Sequence, residues 1–187
     1  SDFWNAWQDL AIRPDGHTQS VALLSSGEYL TTTLNRMSRD LTQHQTDLDS
    51  HIAMAADEIN GITAQISTLN RKIVEVEVGG QNANDLKDRR DALIKDLSQL
   101  IDINAYEDNR GSIDISTARG RMLVENEYAW QLTTRANVSG HQNVMWVDPS
   151  GNLVDITASI SEGRLKGWLD VRDQVIPDYL NRLDTLT

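Results

Sequence analysis

The chain has 187 residues, 39% hydrophobic and 24% charged, with a formal net charge of -11 at pH 7 and no cysteine. This composition suits a folded protein, and an acidic balance without any basic patch argues against nucleic acid as a partner. Lack of cysteine removes disulfides, thiolate nucleophiles and cysteine-held metals, and no apolar run of about 18 residues or more is present to insert in a membrane.

The first segment, residues 3–11, carries Phe3, Trp4, Trp7, Leu10 and Ala11 at helical spacing and stops at Pro14, with Asp15-Gly16 as a turn. A helix restarts near Thr18 through Val21, Leu24 and Tyr29 and can run on through Gly27, the one weak point.

Residues 30–76 hold the dominant pattern of the sequence. Leu30, Leu34, Met37, Leu41, Leu48, Ile52, Ala55, Ile59, Ile62, Ile66, Leu69, Ile73 and Val76 keep a spacing of three and four. Such a stripe gives one long helix with a single apolar edge, roughly 70 Å long at about 1.5 Å per residue. His44 stands where the seam skips between Leu41 and Leu48, and is expected at the edge of the stripe.

Gly79-Gly80 ends the rod, and Asn82, Asn84 and Asp85 offer capping oxygens to a second helix bearing Leu86, Leu93, Leu97, Leu100 and Ile101. So short a connection predicts an antiparallel helical hairpin. Beyond Ile101 the period falls to two. Ile103 and Ala105, the turn at 107–111, then Ile113 and Ile115 read as a β-hairpin, with further strands at 122–124, 128–132, 144–147 and 153–156. Pro149 and Gly151 shape the turn between the last two. From Gly163 a helix returns with Leu165, Trp168, Leu169, Ile176, Leu180, Leu183 and Leu186, interrupted by Pro177, where a kink or two abutting helices are expected.

The expected fold is therefore α+β. A long antiparallel, coiled-coil-like helical packing domain (1–101 and 163–187) carries an inserted small antiparallel β domain (102–162). The second and last helices, about 18 and 23 residues, are too short to cover the rod. Its uncovered stripe exceeds what soluble monomers usually expose. Part of it should meet the first helix, further chain, or neighbouring subunits; the chain reads as a fragment of something longer.

Catalytic chemistry finds little purchase. His17, His44, His51 and His141 include a pair seven apart, not the four of helical metal pairs. Asp88, Arg89, Arg90 and Asp91 read as surface ion pairs near a helix start. Gly79-Gly80-Gln81 lacks the pattern of a phosphate loop, and Asn137-Val138-Ser139 is a bare glycosylation sequon. Of five tryptophans, Trp4, Trp7 and Trp168 are expected in helical packing, whereas Trp130 and Trp146 are candidates for a surface role. No catalytic, cofactor-binding or metal-ligating residue is assigned.

Three stretches together resemble the flagellar hook-associated protein 1 family. They are Phe3-Trp4-Asn5-Ala6-Trp7-Gln8-Asp9-Leu10-Ala11; Gly79-Gly80-Gln81 with Asn84-Asp85-Leu86-Lys87-Asp88-Arg89-Arg90-Asp91-Ala92-Leu93; and Gly163-Arg164-Leu165-Lys166-Gly167-Trp168-Leu169-Asp170-Val171-Arg172-Asp173 with Ile176-Pro177-Asp178-Tyr179. Flagellin and hook-associated protein 3 share the middle stretch; the closing one is the more specific. The resemblance implies a non-enzymatic, extracellular subunit of the bacterial flagellum, exported through the flagellar apparatus, that joins hook to filament. It further implies self-association in a junction ring and contact with hook protein and hook-associated protein 3. An export chaperone would bind through terminal helices outside residues 1–187, and the fragment itself would be monomeric. The competing reading is a secreted surface adhesin or host-interacting coiled-coil protein, binding through Trp130, Trp146 or the 137–143 loop of the β domain.

Overall fold

The computed structural model describes residues 2–185; Leu186, the last position of the expected C-terminal stripe, lies outside them. The fold is α+β, with one very long helix and two small antiparallel sheets. It divides into two compact units, residues 1–45 with 176–187, and residues 46–175. The long helix contributes to both.

In the first unit, α1 (Asp2–Ile12) is closed by backbone bonds from Arg13 N–H to the carbonyls of Asp9 and Leu10. The chain then turns at 13–16 and enters α2 (His17–Val78). Gly27 does not interrupt α2. The Phe3 ring approaches here to 3.7 Å from where a Cβ would stand, an ordinary packing distance, so α1 would tolerate a small side chain at this position. The unit's remaining element is α5 (Ile176–Asp184).

In the second unit the sequence stripe becomes a core. Ile52, Ile59, Ile66 and Ile73 recur every seven residues, and all four are fully buried, with Ala55, Ile62 and Leu69 between them. That is heptad spacing, which keeps one edge of a helix against its partners. α2 ends in a Schellman turn: Gly80, at φ +75°, donates to Glu77 O, and Gln81 N–H reaches Val76 O. α3 (Asn84–Leu100) then packs Leu86 and Leu93 against Leu69, Ile73 and Val76, which closes the expected hairpin. The expected side-chain cap is absent. Ala83 occupies the N-cap without a side-chain bond, and its carbonyl accepts from the amides of Leu86 and Lys87. Ala83 is itself buried in the hairpin cluster, so packing rather than a capping oxygen fixes the helix start.

The β region forms two meanders. β1 (Ile103–Glu107), β2 (Ile113–Thr117), β3 (Met122–Glu125) and β4 (Tyr128–Ala129) make one sheet in that order. β5 (Leu132–Ala136), β6 (Gln142–Val147) and β7 (Leu153–Asp155) make the other. The hairpin read from Ile103 to Ile115 is present, with Glu107 opposite Ile113. The single strand expected at 128–132 is not. Trp130 and Gln131 carry the chain from one sheet to the next, and the polar run Thr133-Thr134-Arg135 belongs to β5. Those three residues hide from a search for apolar alternation because only Leu132 of β5 is fully buried.

Both sheets and the helices share one core: Ile113, Ile115, Leu123, Val124, Leu132, Val144 and Trp146 pack with the α2 isoleucines, with Leu97 and Leu100 of α3, and with Leu165 and Leu169. The last two lie on α4 (Gly163–Asp170). Gly163 starts it at φ +85°, so close to α3 that a Cβ would sit 2.6 Å from the Leu100 carbonyl oxygen. A π-helical turn (Val171–Val175) comes next, and α5 begins at once with Ile176-Pro177. The interruption expected at Pro177 is thus a change of helical register. One residue more per turn accommodates a position that has no N–H to donate.

Replacing Gly163 by Ala should lower stability on the order of 3 kcal/mol, because backbone strain and a backbone clash coincide. Urea denaturation followed by circular dichroism would measure it, and a loss below about 1 kcal/mol would show that the α3–α4 contact is soft.

Candidate functional site

Two features distinguish this molecule from a generic helical protein: polar side chains that dock the sheets on α2, and an apolar surface left open. The docking residues interrupt the apolar pattern of α2. Asn60 Nδ2 donates to Leu132 O and its Oδ1 accepts from Leu132 N–H, both at 2.8 Å. Asn70 does the same for Ile113, donating to its carbonyl at 2.7 Å and accepting from its amide at 3.1 Å, and also donates to Asn126 O. Ile113 and Leu132 are the first residues of β2 and β5. Each asparagine therefore acts as one more backbone unit, engaging the opening residue of a strand in each sheet.

Two buried arginines complete the joints. Arg90 donates to Asn70 Oδ1 at 3.1 Å, to Gly111 O, and to Glu107 Oε1 at 3.1 Å. Far from being a surface ion-pair residue, it is buried, while Arg89 and Asp91 beside it are exposed. Arg172 of the π turn is only 1% exposed and holds Asp49 Oδ1 at 2.7 Å, the Gln142 carbonyl and the Asp173 carboxylate. Asp49 also accepts from Gln142 N–H, and its Oδ2 lies 2.9 Å from His141 Nδ1. Burial acts to raise the Asp49 pKa, but the hydrogen bonds from His141, Gln142 and Arg172, with the guanidinium charge, prevail and hold it below the usual value. Sequence reading missed Asn60, Asn70 and Asp49; the available signal was polar residues set among the α2 isoleucines.

The open surface lies in the first unit. Trp4 is 67% and Trp7 55% exposed, joined by Ile12, Val21, Leu24, Tyr29, Leu30 and Met37. Phe3 meets both tryptophans, edge-on to Trp4 at 5.4 Å. A groove of about 680 Å³ runs beside it, floored by Phe3, Leu23, Leu24 and Gly27. Along α2 the stripe is thus buried from Ile52 to Ile73 and uncovered at Leu30 and Met37.

This reverses the expectation for two pairs of tryptophans. Trp146 is a core residue whose Nε1 donates to Met122 O at 2.7 Å, beneath the Arg121 guanidinium, and Trp130 packs against the same core. The exposed indoles are those of α1, where helical spacing suggests packing. Trp168 stacks on His51 at 5.4 Å and carries Arg164 on its ring, which accounts for that histidine as a packing group. His44 is exposed, while Gln45 next to it is buried. Asn137 of the sequon closes the β5–β6 turn, accepting from Ser139 and His141 amides. Among the described residues no three His, Asp or Glu side chains group as a metal site, and no helix is long and apolar enough to cross a membrane.

Comparison with known proteins gives these features a context. Residues 1–187 match the family model described as flagellar hook-associated protein FlgK helical domain. Flagellar hook-associated protein 1 of Bacillus subtilis (strain 168) is 29% identical over 125 residues, 67% of this chain and 25% of that protein. Its counterpart in Escherichia coli (strain K12) is 27% identical over 190 residues, 99% of this chain and 35% of that protein. The solved flagellar hook junction protein FlgK from Burkholderia pseudomallei shares the fold, with TM-score 0.81 over 92% of this chain and 32% of that one, at 23% identity. The chain spans between a quarter and about a third of the length of these relatives.

The Asp49 joint yields a pH prediction. A carboxyl whose folded pKa is depressed contributes stability above its unfolded pKa and loses it as pH falls through the folded value. Asp49→Ala should therefore cost about 3 kcal/mol near neutral pH, by removing one of the two carboxylates that hold buried Arg172 and the acceptor of Gln142 N–H, and the penalty should shrink below about pH 4. Urea midpoints measured across that range check it; a penalty that does not change with pH would mean Asp49 acts by packing alone.

Proposed function

Because the chain belongs to the flagellar hook-associated protein FlgK helical domain family, we propose that it serves as a packing domain of a hook-filament junction subunit in the bacterial flagellum. The supporting observation is the uncovered aromatic and aliphatic surface on α1 and on α2 up to Met37. An apolar surface of that extent is unfavourable in water unless further chain or a neighbouring subunit covers it.

In this reading the segments 1–101 and 163–187 carry lateral contacts, the β domain at 102–162 is borne on them, and the work is mechanical. The protein is no enzyme and takes no cofactor. It acts outside the cell after export through the flagellar apparatus, self-associates in a junction ring, and contacts hook protein on one side and hook-associated protein 3 on the other. Terminal helices beyond residues 1–187 complete the polymerising surface and meet the export chaperone. The isolated domain stays monomeric.

Two experiments test this. Deletion of the gene should leave hooks without attached filaments, and undiminished motility would refute the reading. More finely, a full-length protein carrying Trp4→Ser, Trp7→Ser and Leu24→Ser should fail to sediment with purified hooks. Because those side chains are exposed, the domain itself should lose less than about 1 kcal/mol of stability from the three changes. Normal sedimentation of the triple variant would show that this surface does not carry the assembly.

A further inference from the structure

A cleft of about 490 Å³ opens between α2 and two turns of the first sheet, and several of the groups that line it are used neither by the fold nor by the proposed assembly. Asn70, Arg71 and Glu75 of α2 form one wall; Arg110 and Ser112 of the β1–β2 turn and Asn126 and Glu127 of the β3–β4 turn form the others. The walls are held firmly. Asn126, at φ +53°, donates its N–H to Asp114 Oδ1, while its carbonyl accepts from Asn70 and its Oδ1 from Arg110. Ser112 N–H is fixed by Asp108 Oδ1 at 2.9 Å, and the same carboxylate steadies Arg110.

Those contacts leave hydrogen-bond donors over. Ser112 packs beneath the cleft, 2% exposed, and contributes its backbone to the wall rather than its hydroxyl. Asn126 has committed its Oδ1 and keeps its Nδ2 hydrogens unused, Arg110 engages only through Nε and Nη2, and Arg71 has no hydrogen-bond or ion-pair partner among the described residues. An amide N–H pair and two guanidiniums around one cleft match the acceptor geometry of a carboxylate. Glu75 and Glu127 on its rim set the charge limit: they disfavour a doubly charged phosphate more than a singly charged carboxylate.

We propose that this cleft binds a carboxylate, supplied either by a small free acid or by an Asp or Glu side chain of a second copy of the chain. The 28 acidic residues against 17 Lys and Arg make the second source plentiful. Neither source requires the junction reading to hold.

The test is a titration of the ¹⁵N-labelled protein with sodium glutarate against sodium chloride at matched ionic strength. The expected result is saturable shifts of the Ser112, Asn126 and Tyr128 amides at millimolar glutarate. Affinity should fall at least fivefold in Arg71→Gln, rise about threefold in Glu75→Gln, and be weaker for phosphate. Arg71→Gln should unfold no more readily than the parent, since the Arg71 guanidinium has no partner among the described residues. Shifts that are linear, equal in chloride, or indifferent to Arg71→Gln overturn the proposal. A dilution series without glutarate separates the sources. Concentration-dependent shifts of the same amides identify the second copy, and constant shifts beside a saturable glutarate response identify a free acid.

Discussion

Side-chain amides on α2 that stand in for a β-strand are the constraint on which the larger unit depends. A strand edge presents alternating N–H and C=O groups, and burying them without partners is expensive. Asn60 and Asn70 each supply one donor and one acceptor to the first residue of a strand, so a helix can lie against two sheets without stranding the backbone there. Apolar burial alone cannot supply this, because it has no direction. The isoleucines of α2 provide the attraction between helix and sheets; the asparagines decide where along the helix each sheet sits.

The same division of labour recurs in the arginines. A buried guanidinium offers five donors in a rigid fork and must be met on several sides. Arg90 joins α3 to α2 through Asn70 and to the β1–β2 turn through Gly111, and Arg172 joins the π turn to α2 through Asp49 and to the start of β6 through Gln142. Each is therefore more sensitive to loss of a partner than a surface pair would be. By contrast Arg182 with Asp178 is an exposed helical pair of small effect.

How much of this was legible in the sequence depends on the range of each interaction. The heptad stripe, the glycine pair at 79–80, the hairpin around 107–111 and the return to helix at Gly163 are local patterns, and the structure contains all of them. The docking residues were not legible, because Asn60 and Asn70 look like ordinary solvent-facing interruptions until Leu132 and Ile113 arrive from 72 and 43 residues away. The tryptophans failed for the same reason. Helical spacing shows that Trp4 and Trp7 share a face but says nothing of what that face meets, and alternation in β6 does not reveal that Trp146 anchors one sheet to the backbone of the other. The polar β5 and the sheet change at Trp130 were hidden because their pairing, rather than their hydrophobicity, defines them.

The two amides also turn α2 into a ruler. Each residue inserted between positions 60 and 70 would rotate everything beyond it by about 100° and advance it about 1.5 Å, so one amide would leave its strand as the other stayed engaged. Length change in that stretch is thus forbidden one residue at a time, whereas the surface turns near Gly120, Gly140 and Gly151, where nothing lies within 4 Å of the missing Cβ, have room for it. Evolution of this domain is therefore free to lengthen its β turns and confined to whole-period steps along the helical span that the sheets measure.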